Sequence, residues 1–104
     1  LMEREMITGK QRSYLRKLGQ ELDALVFIGK NDVTDNVVEE LDRALKTKEL
    51  VKVKIQEGSI LEAKPVANEL AEMLDAEFVQ AIGRKFVLYR QAPEKENRRI
   101  VLPK

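Results

Sequence analysis

Positions 10, 12, 16 and 17 are Lys, Arg, Arg and Lys, with no carboxylate between Thr8 and Lys17. Side chains of this type at this spacing neutralise phosphates and release their counterions rather than break bonds. A further cation, Lys30, sits in the turn Gly29-Lys30-Asn31-Asp32-Val33, between the apolar run Leu25-Val26-Phe27-Ile28 and Thr34, where a strongly periodic segment opens. A buried strand passing through a glycine turn into a helix is a place where α/β proteins hold phosphate. The first N–H groups of the helix lack partners and its dipole favours an anion. The chemistry within reach is recognition of a polyanion backbone. Its candidate contacts are Lys10, Arg12, Arg16, Lys17, Gly29, Lys30, Asn31 and Thr34, with Arg84 in a later hairpin turn.

Other chemistry is poorly provided for. The 104 residues contain neither histidine nor cysteine, which removes Ser-His and Cys-His nucleophiles, thiolate or imidazole metal sites and disulfides. No two carboxylates share a core-facing stripe suited to acid–base work, and no glycine-rich nucleotide motif is present. The expectation is a non-enzymatic protein without cofactor or metal. Hydrophobic residues make up 43% and charged residues 36%, enough for one core under a heavily solvated surface. No apolar run approaches membrane-spanning length and the N-terminus has no signal-peptide core, so a cytoplasmic protein without membrane contact is expected. Leu1 precedes Met2, and residues 1–5 are read as a flexible leader or cloning remnant ahead of a domain over 6–104.

The net charge of +1 carries little information, but its distribution does. Residues 35–42 hold Asp35, Glu39, Glu40 and Asp42 with no base, against the acid-free cluster at 8–17. One basic and one acidic face follow.

The elements that must position these residues are legible in order. Thr8 and Gln11 have capping-box spacing for a helix over 9–22, with Gln11, Leu15, Leu18 and Leu22 as its inward stripe and Gly19 facing away. A strand over 24–28 precedes the turn. A second helix spans 34–46, capped by Thr34 or Asp32, burying Val37, Val38, Leu41, Ala44 and Leu45, with Glu39, Asp42, Arg43 and Lys46 outward. Residues 50–55 alternate apolar with charged, so Lys52 and Lys54 share an open sheet face. They either extend the basic surface or guard an edge strand. Ser59 and Glu62 form a second capping-box pair for a helix ending near Leu74, with Val66, Leu70, Met73 and Leu74 in the core. Pro65 places the regular start near Lys64 or kinks an earlier turn. Strands over 77–82 and 85–90 flank Gly83-Arg84, a two-residue type II′ hairpin. The tail, 91–104, is polar until Ile100-Val101-Leu102-Pro103, an apolar patch suited to dock on the body. The result is an α/β single domain of order α-β-α-β-α-β-β with a four-stranded mixed sheet. Its helical crossovers should set parallel strands side by side, with helices over the apolar face.

In this order the motifs resemble the CRM domain, named for chloroplast RNA splicing and ribosome maturation, and above all its small stand-alone bacterial YhbY-like members. The residues that carry the resemblance are Thr8-Gly9-Lys10-Gln11 with Leu15-Arg16, Ile28-Gly29-Lys30-Asn31 with Thr34, and Ala44-Leu45 with Glu49-Leu50-Val51-Lys52-Val53. They continue in Val79-Gln80-Ala81-Ile82-Gly83, Val87-Leu88-Tyr89-Arg90 and Ile100-Val101-Leu102-Pro103. The resemblance implies a fold like the C-terminal domain of translation initiation factor 3 and association with precursors of the large (50S) ribosomal subunit. It also implies a GxxG loop that clamps a nucleotide backbone, a role that Gly29 and Lys30 inherit by position. Asp32 stands where the family has its second glycine. Either it caps the second helix and points away from RNA, or the clamp is weakened.

The leading expectation is therefore a monomeric RNA-binding assembly factor whose partner is ribosomal RNA in a pre-50S particle. Tyr14, among the basic residues, is either a stacking platform or an ordinary half-buried side chain. The alternative is a protein-interaction module that meets a basic ribosomal protein through Glu39, Glu40 and Asp42.

Overall fold

The computed structural model describes residues 7–30 and 32–104, so the expectations for residues 1–6 and for Asn31 lie outside the described residues. Helix α1 (Gly9–Gln20) opens with the anticipated box. Thr8 Oγ1 accepts the Gln11 N–H (3.1 Å) and Gln11 Oε1 accepts the Thr8 N–H (2.9 Å), so two orphan donors are satisfied reciprocally. Then follow β1 (Ala24–Ile28), α2 (Asp35–Lys48), β2 (Leu50–Ile55), α3 (Ala63–Met73), β3 (Glu77–Ile82) and β4 (Lys85–Tyr89), with a 3₁₀ turn at Lys95–Asn97.

The sheet order is β1-β2-β4-β3. β1 runs parallel to β2, while β4 is antiparallel to both β2 and β3. The crossover through α3 thus does not place β3 beside β2 as expected. The tight Gly83-Arg84 hairpin keeps β3 and β4 together, and β4 takes the free edge of β2. Gly83 has φ +59°, as a type II′ turn requires at its first position. β2 is therefore internal and the edges are β1 and β3, so Lys52 and Lys54 do not guard an edge.

Helices cover both faces of the sheet. Val26, Ile28, Val51, Val53, Ile55, Phe86 and Leu88 form the larger core with Leu41 and Leu45 of α2 and Val66, Ala67 and Leu70 of α3. On the other face Leu15 packs with Leu50, Val79, Val87 and Tyr89, flanked by Leu18 and Leu22 and by Ile100 and Leu102 of the tail. Gly19 belongs to this inward stripe rather than facing away. It follows Leu15 by one turn, and a Cβ there would meet both Val87 methyls at 3.3 Å, so the α1 backbone lies close on β4.

Three further expectations change. Ser59 does not cap α3; its Oγ accepts the Leu61 N–H (3.1 Å) in a local turn, and the helix begins at Ala63. Pro65 is consequently its third residue, inside the first turn where no N–H partner is lost. Met73, the last residue of α3, is exposed rather than in the core. Leu25 and Phe27 are exposed as well, because β1 buries only Val26 and Ile28.

Glu49, between α2 and β2, is fully buried with φ +67°. Its Oε2 accepts the Ala92 N–H (2.9 Å) and its Oε1 the N–H groups of Arg99 (2.7 Å) and Ile100 (3.1 Å). The tail is thereby folded back and docks as expected, ending with Gln11 Nε2 donating to the Pro103 carbonyl (3.0 Å).

Candidate nucleic-acid interface

Helix α1 presents its cations unequally. Arg16 and Lys17 are exposed and have no ion-pair partner among the described residues. Arg12 is half-buried, its Nε donating to the Phe78 carbonyl (3.2 Å), which pins the guanidinium against the start of β3. Lys10 Nζ lies 3.4 Å from the Lys104 carbonyl oxygen, beside the docked tail. Tyr14 is 38% exposed on the same helix.

In the turn after β1, Gly29 has no positive φ, and a Cβ there would meet nothing within 4 Å. Neither backbone conformation nor internal packing calls for glycine, and the backbone is open to close approach from outside. Lys30 is exposed, with its side chain beside the turn after β2: its Cε lies 3.7 Å from where a Gly58 Cβ would be. Thr34 is the N-cap of α2, its Oγ1 accepting the Val37 N–H (3.2 Å). Asp32 does not cap the helix. Its Oδ1 accepts the N–H of the next residue, Val33 (2.7 Å), which leaves the carboxylate exposed. With Asp35 in the first turn, the start of α2 already carries negative charge. A phosphate grip at this turn therefore relies on Lys30 and the open Gly29 backbone more than on the helix dipole.

Strand pairing brings the distant candidates to one end of the sheet. The Gln56 N–H donates to the Ile28 carbonyl (2.9 Å) and the Ile55 N–H to the Arg84 carbonyl (2.8 Å). Gly29, Lys30, the turn 56–58 and Arg84 thus share that end. Arg84 is half-buried, its Nη1 donating to the Ser59 carbonyl (3.3 Å). Helix α1 runs from Phe78 toward this end, with Gly19 and Gln20 beside Lys52, Gln80, Ile82 and Lys85. Lys10 and Arg12 remain at the far end, by the tail.

Between α1 and the Gly29 turn lies uncovered sheet. Register places Phe27 beside Lys54, Lys54 beside Lys85 and Lys85 beside Ile82, one row across all four strands. Phe27 is 59% exposed and Ile82 64%, and Leu25 stands 51% exposed toward the next row, which contains Lys52, Val87 and Gln80. Sequence reasoning assigned Phe27 to the core because four apolar residues in succession resemble a buried strand. The available signal was the Lys52/Lys54 alternation, which marks an open face that parallel pairing extends to β1.

The acidic side is arranged differently. Asp42 is half-buried rather than outward: Oδ1 pairs with Arg90 Nη1 (2.9 Å) and Oδ2 with Lys46 Nζ (3.2 Å). Burial alone would raise its pKa, but the hydrogen bonds and charges of Arg90 and Lys46 outweigh burial and hold the carboxyl below the usual 3.8. Burial, helped by the charge of Glu49 and opposed by Arg98, raises the Tyr89 hydroxyl above 10.0. Glu39 and Glu40 are exposed. Among the described residues no cluster of three or more ligating side chains could hold a metal ion, and no helix is long and apolar enough to cross a membrane.

The sequence model of the CRS1 / YhbY (CRM) domain matches residues 7–90. The chain is 36% identical over 98 residues to "Probable RNA-binding protein YqeI" of Bacillus subtilis, covering 94% of this chain and 100% of the relative. It is also 36% identical over 89 residues to a Haemophilus influenzae protein named RNA-binding protein, covering 85% and 89%. The solution structure of a hypothetical Staphylococcus aureus protein superposes with a TM-score of 0.69 at 35% identity, covering 94% of this chain and 100% of that one.

Proposed function

This chain belongs to the CRS1 / YhbY (CRM) domain family, and from that premise we propose that it is a non-enzymatic RNA-binding protein. Its partner is ribosomal RNA in precursors of the large subunit, and it serves their assembly in the cytoplasm as a monomer. The observation that carries the RNA reading is the concentration of cations on one side of the molecule. Helix α1 contributes Arg16 and Lys17, β2 and β4 contribute Lys52, Lys54 and Lys85, and the Gly29 turn contributes Lys30, with no carboxylate in α1, β1, β2 or β4. These side chains neutralise phosphates, while the bare backbone at Gly29 lets a strand approach Lys30 closely. Arg12 and Arg84, each donating to a backbone carbonyl, hold the edges of that surface and offer their remaining N–H groups to it.

The alternative reading, a protein partner on the acidic face of α2, loses one of its three acids because Asp42 is engaged by Arg90 and Lys46. The two readings separate in one experiment: affinity for a large-subunit rRNA fragment across a salt series, for the wild type and Lys30→Ala. A steep dependence that falls by about one unit in the variant is expected. A shallow dependence untouched by the substitution overturns the RNA reading and leaves Glu39 and Glu40 as the surface to pursue.

A further inference from the structure

Phe27 and Ile82 of the row Phe27–Lys54–Lys85–Ile82 belong to neither hydrophobic core of the described residues. Phe27 and Ile82, at its two ends, are 59% and 64% exposed, whereas the same face one strand-length away is sealed by Leu15 against Leu50, Val79 and Tyr89. Helix α1 could have covered the whole face but ends at Gln20, beside Lys52 and Lys85 rather than over them. What is left uncovered is specific in character: a flat aromatic ring on an edge strand, two lysines in the middle, an apolar side chain on the other edge. Adjacent strands lie about 4.8 Å apart, so the ring and the two ammonium groups sit within the span of two or three nucleotides. Lys52 adds a third cation one row in, and the Gly29 turn opens beside the ring, in a hollow lined by Phe27, Ile28, Gly29, Lys54, Gln56 and Glu57. Glu57 at the rim is the one carboxylate in that lining.

An exposed aromatic amid lysines on a rigid sheet is complementary to one kind of polyanion, a strand whose bases are free to stack. Duplex RNA offers phosphates and sugar edges but keeps its base faces internal. From this geometry we infer that the open sheet face binds an unpaired RNA segment, with one base stacked on Phe27 and its flanking phosphates held by Lys54 and Lys85. The inference rests on the RNA-binding reading and adds a preference to it. The surface of α1 and Lys30 takes phosphates from any RNA, whereas the sheet face takes only unpaired nucleotides.

The chain contains no tryptophan, so Phe27→Trp introduces a single fluorophore at the stacking position. The test titrates wild type, Phe27→Trp, Phe27→Tyr and Phe27→Ala with an unstructured RNA 12-mer and with the same sequence paired to its complement. Expected is quenching of the Phe27→Trp emission by the single strand but not by the duplex. Phe27→Ala should bind the single strand about tenfold more weakly with duplex affinity and salt slope unchanged, and Phe27→Tyr should restore the wild-type value. Phe27 is exposed, so the substitutions leave the core intact, and unfolding midpoints check this. Equal losses for single strand and duplex, or no loss for either, overturn the stacking role while leaving the RNA reading in place. A wild type that binds neither RNA overturns both. A concentration-dependent dimer abolished by Phe27→Ala, with RNA affinity unaltered, would assign the face to a second copy of the chain instead.

Discussion

Glu49 immediately precedes β2 and Lys54 lies near its far end, and the fold treats their charges in opposite ways. Glu49 is buried and gives both oxygens to three backbone N–H groups of the tail. Close by, Arg90 donates to the Leu74 carbonyl (2.8 Å) and the Asp42 carbonyl (3.0 Å) and pairs with the Asp42 carboxylate. On this side charge is consumed in tying α2, α3 and the tail to the sheet. On the other side Lys54, Lys85, Arg16 and Lys17 have no ion-pair partner among the described residues. A charge with its hydrogen-bond capacity filled internally is structure, and a row of unfilled cations on a rigid sheet is capacity for a ligand. The contrast separates the two roles better than net charge does.

If the contrast is sound, substitutions on the two sides have non-overlapping effects. The largest belongs to Glu49→Ala, which strands three tail N–H groups. It should cost about 3 kcal/mol in urea unfolding while leaving the RNA affinity of the folded protein within about twofold of wild type. A large loss of affinity at full stability would dissolve the distinction. Arg16→Ala and Lys30→Ala come next in size. Each should weaken RNA binding severalfold, across sequences, and lower the salt slope by about one unit with no change in the unfolding midpoint.

Asp42→Asn sharpens the structural side through pH. Because the folded-state carboxyl titrates below the usual 3.8, its contribution is fully present above 3.8 and is lost as pH falls below it through the lower folded-state value. The variant should be less stable than wild type by about 1 kcal/mol at neutral pH, and the two curves should converge in strong acid. Parallel curves would mean that Arg90 works without the Asp42 charge. The smallest effect is expected from Asp32→Gly, about threefold tighter RNA binding from the loss of an exposed negative charge near Lys30. Unchanged binding would place the phosphates away from this turn.

Local signals carried most of the fold. The Thr8–Gln11 box, the Thr34 cap, the hairpin at Gly83 and the α2 stripe are short-range patterns, and each is present. What escaped depends on partners remote in sequence. That β4 lies between β2 and β3 follows from competition for the β2 edge, which no window of sequence contains. Nothing local to Glu49 marks it as buried; its partners are the N–H groups of residues 92, 99 and 100. The candidate site divides the same way. Arg16, Lys17 and Lys30 could be selected from charge spacing, and they are exposed. Arg12 and Arg84 were selected with them, but each gives one donor to a backbone carbonyl. Phe27 was misassigned because its exposure is a property of the edge and of how far α1 extends.

The docked tail has an architectural consequence. Gln11 holds the Pro103 carbonyl, so the start of α1 and the end of the described tail lie together, at the end of the sheet opposite Gly29. A fold with adjacent entry and exit can be spliced into a longer polypeptide, or strung in series, with little loop-closure entropy and without disturbing its interior. In such a setting the end of the sheet that carries Gly29 and Lys30 would face away from the points of attachment.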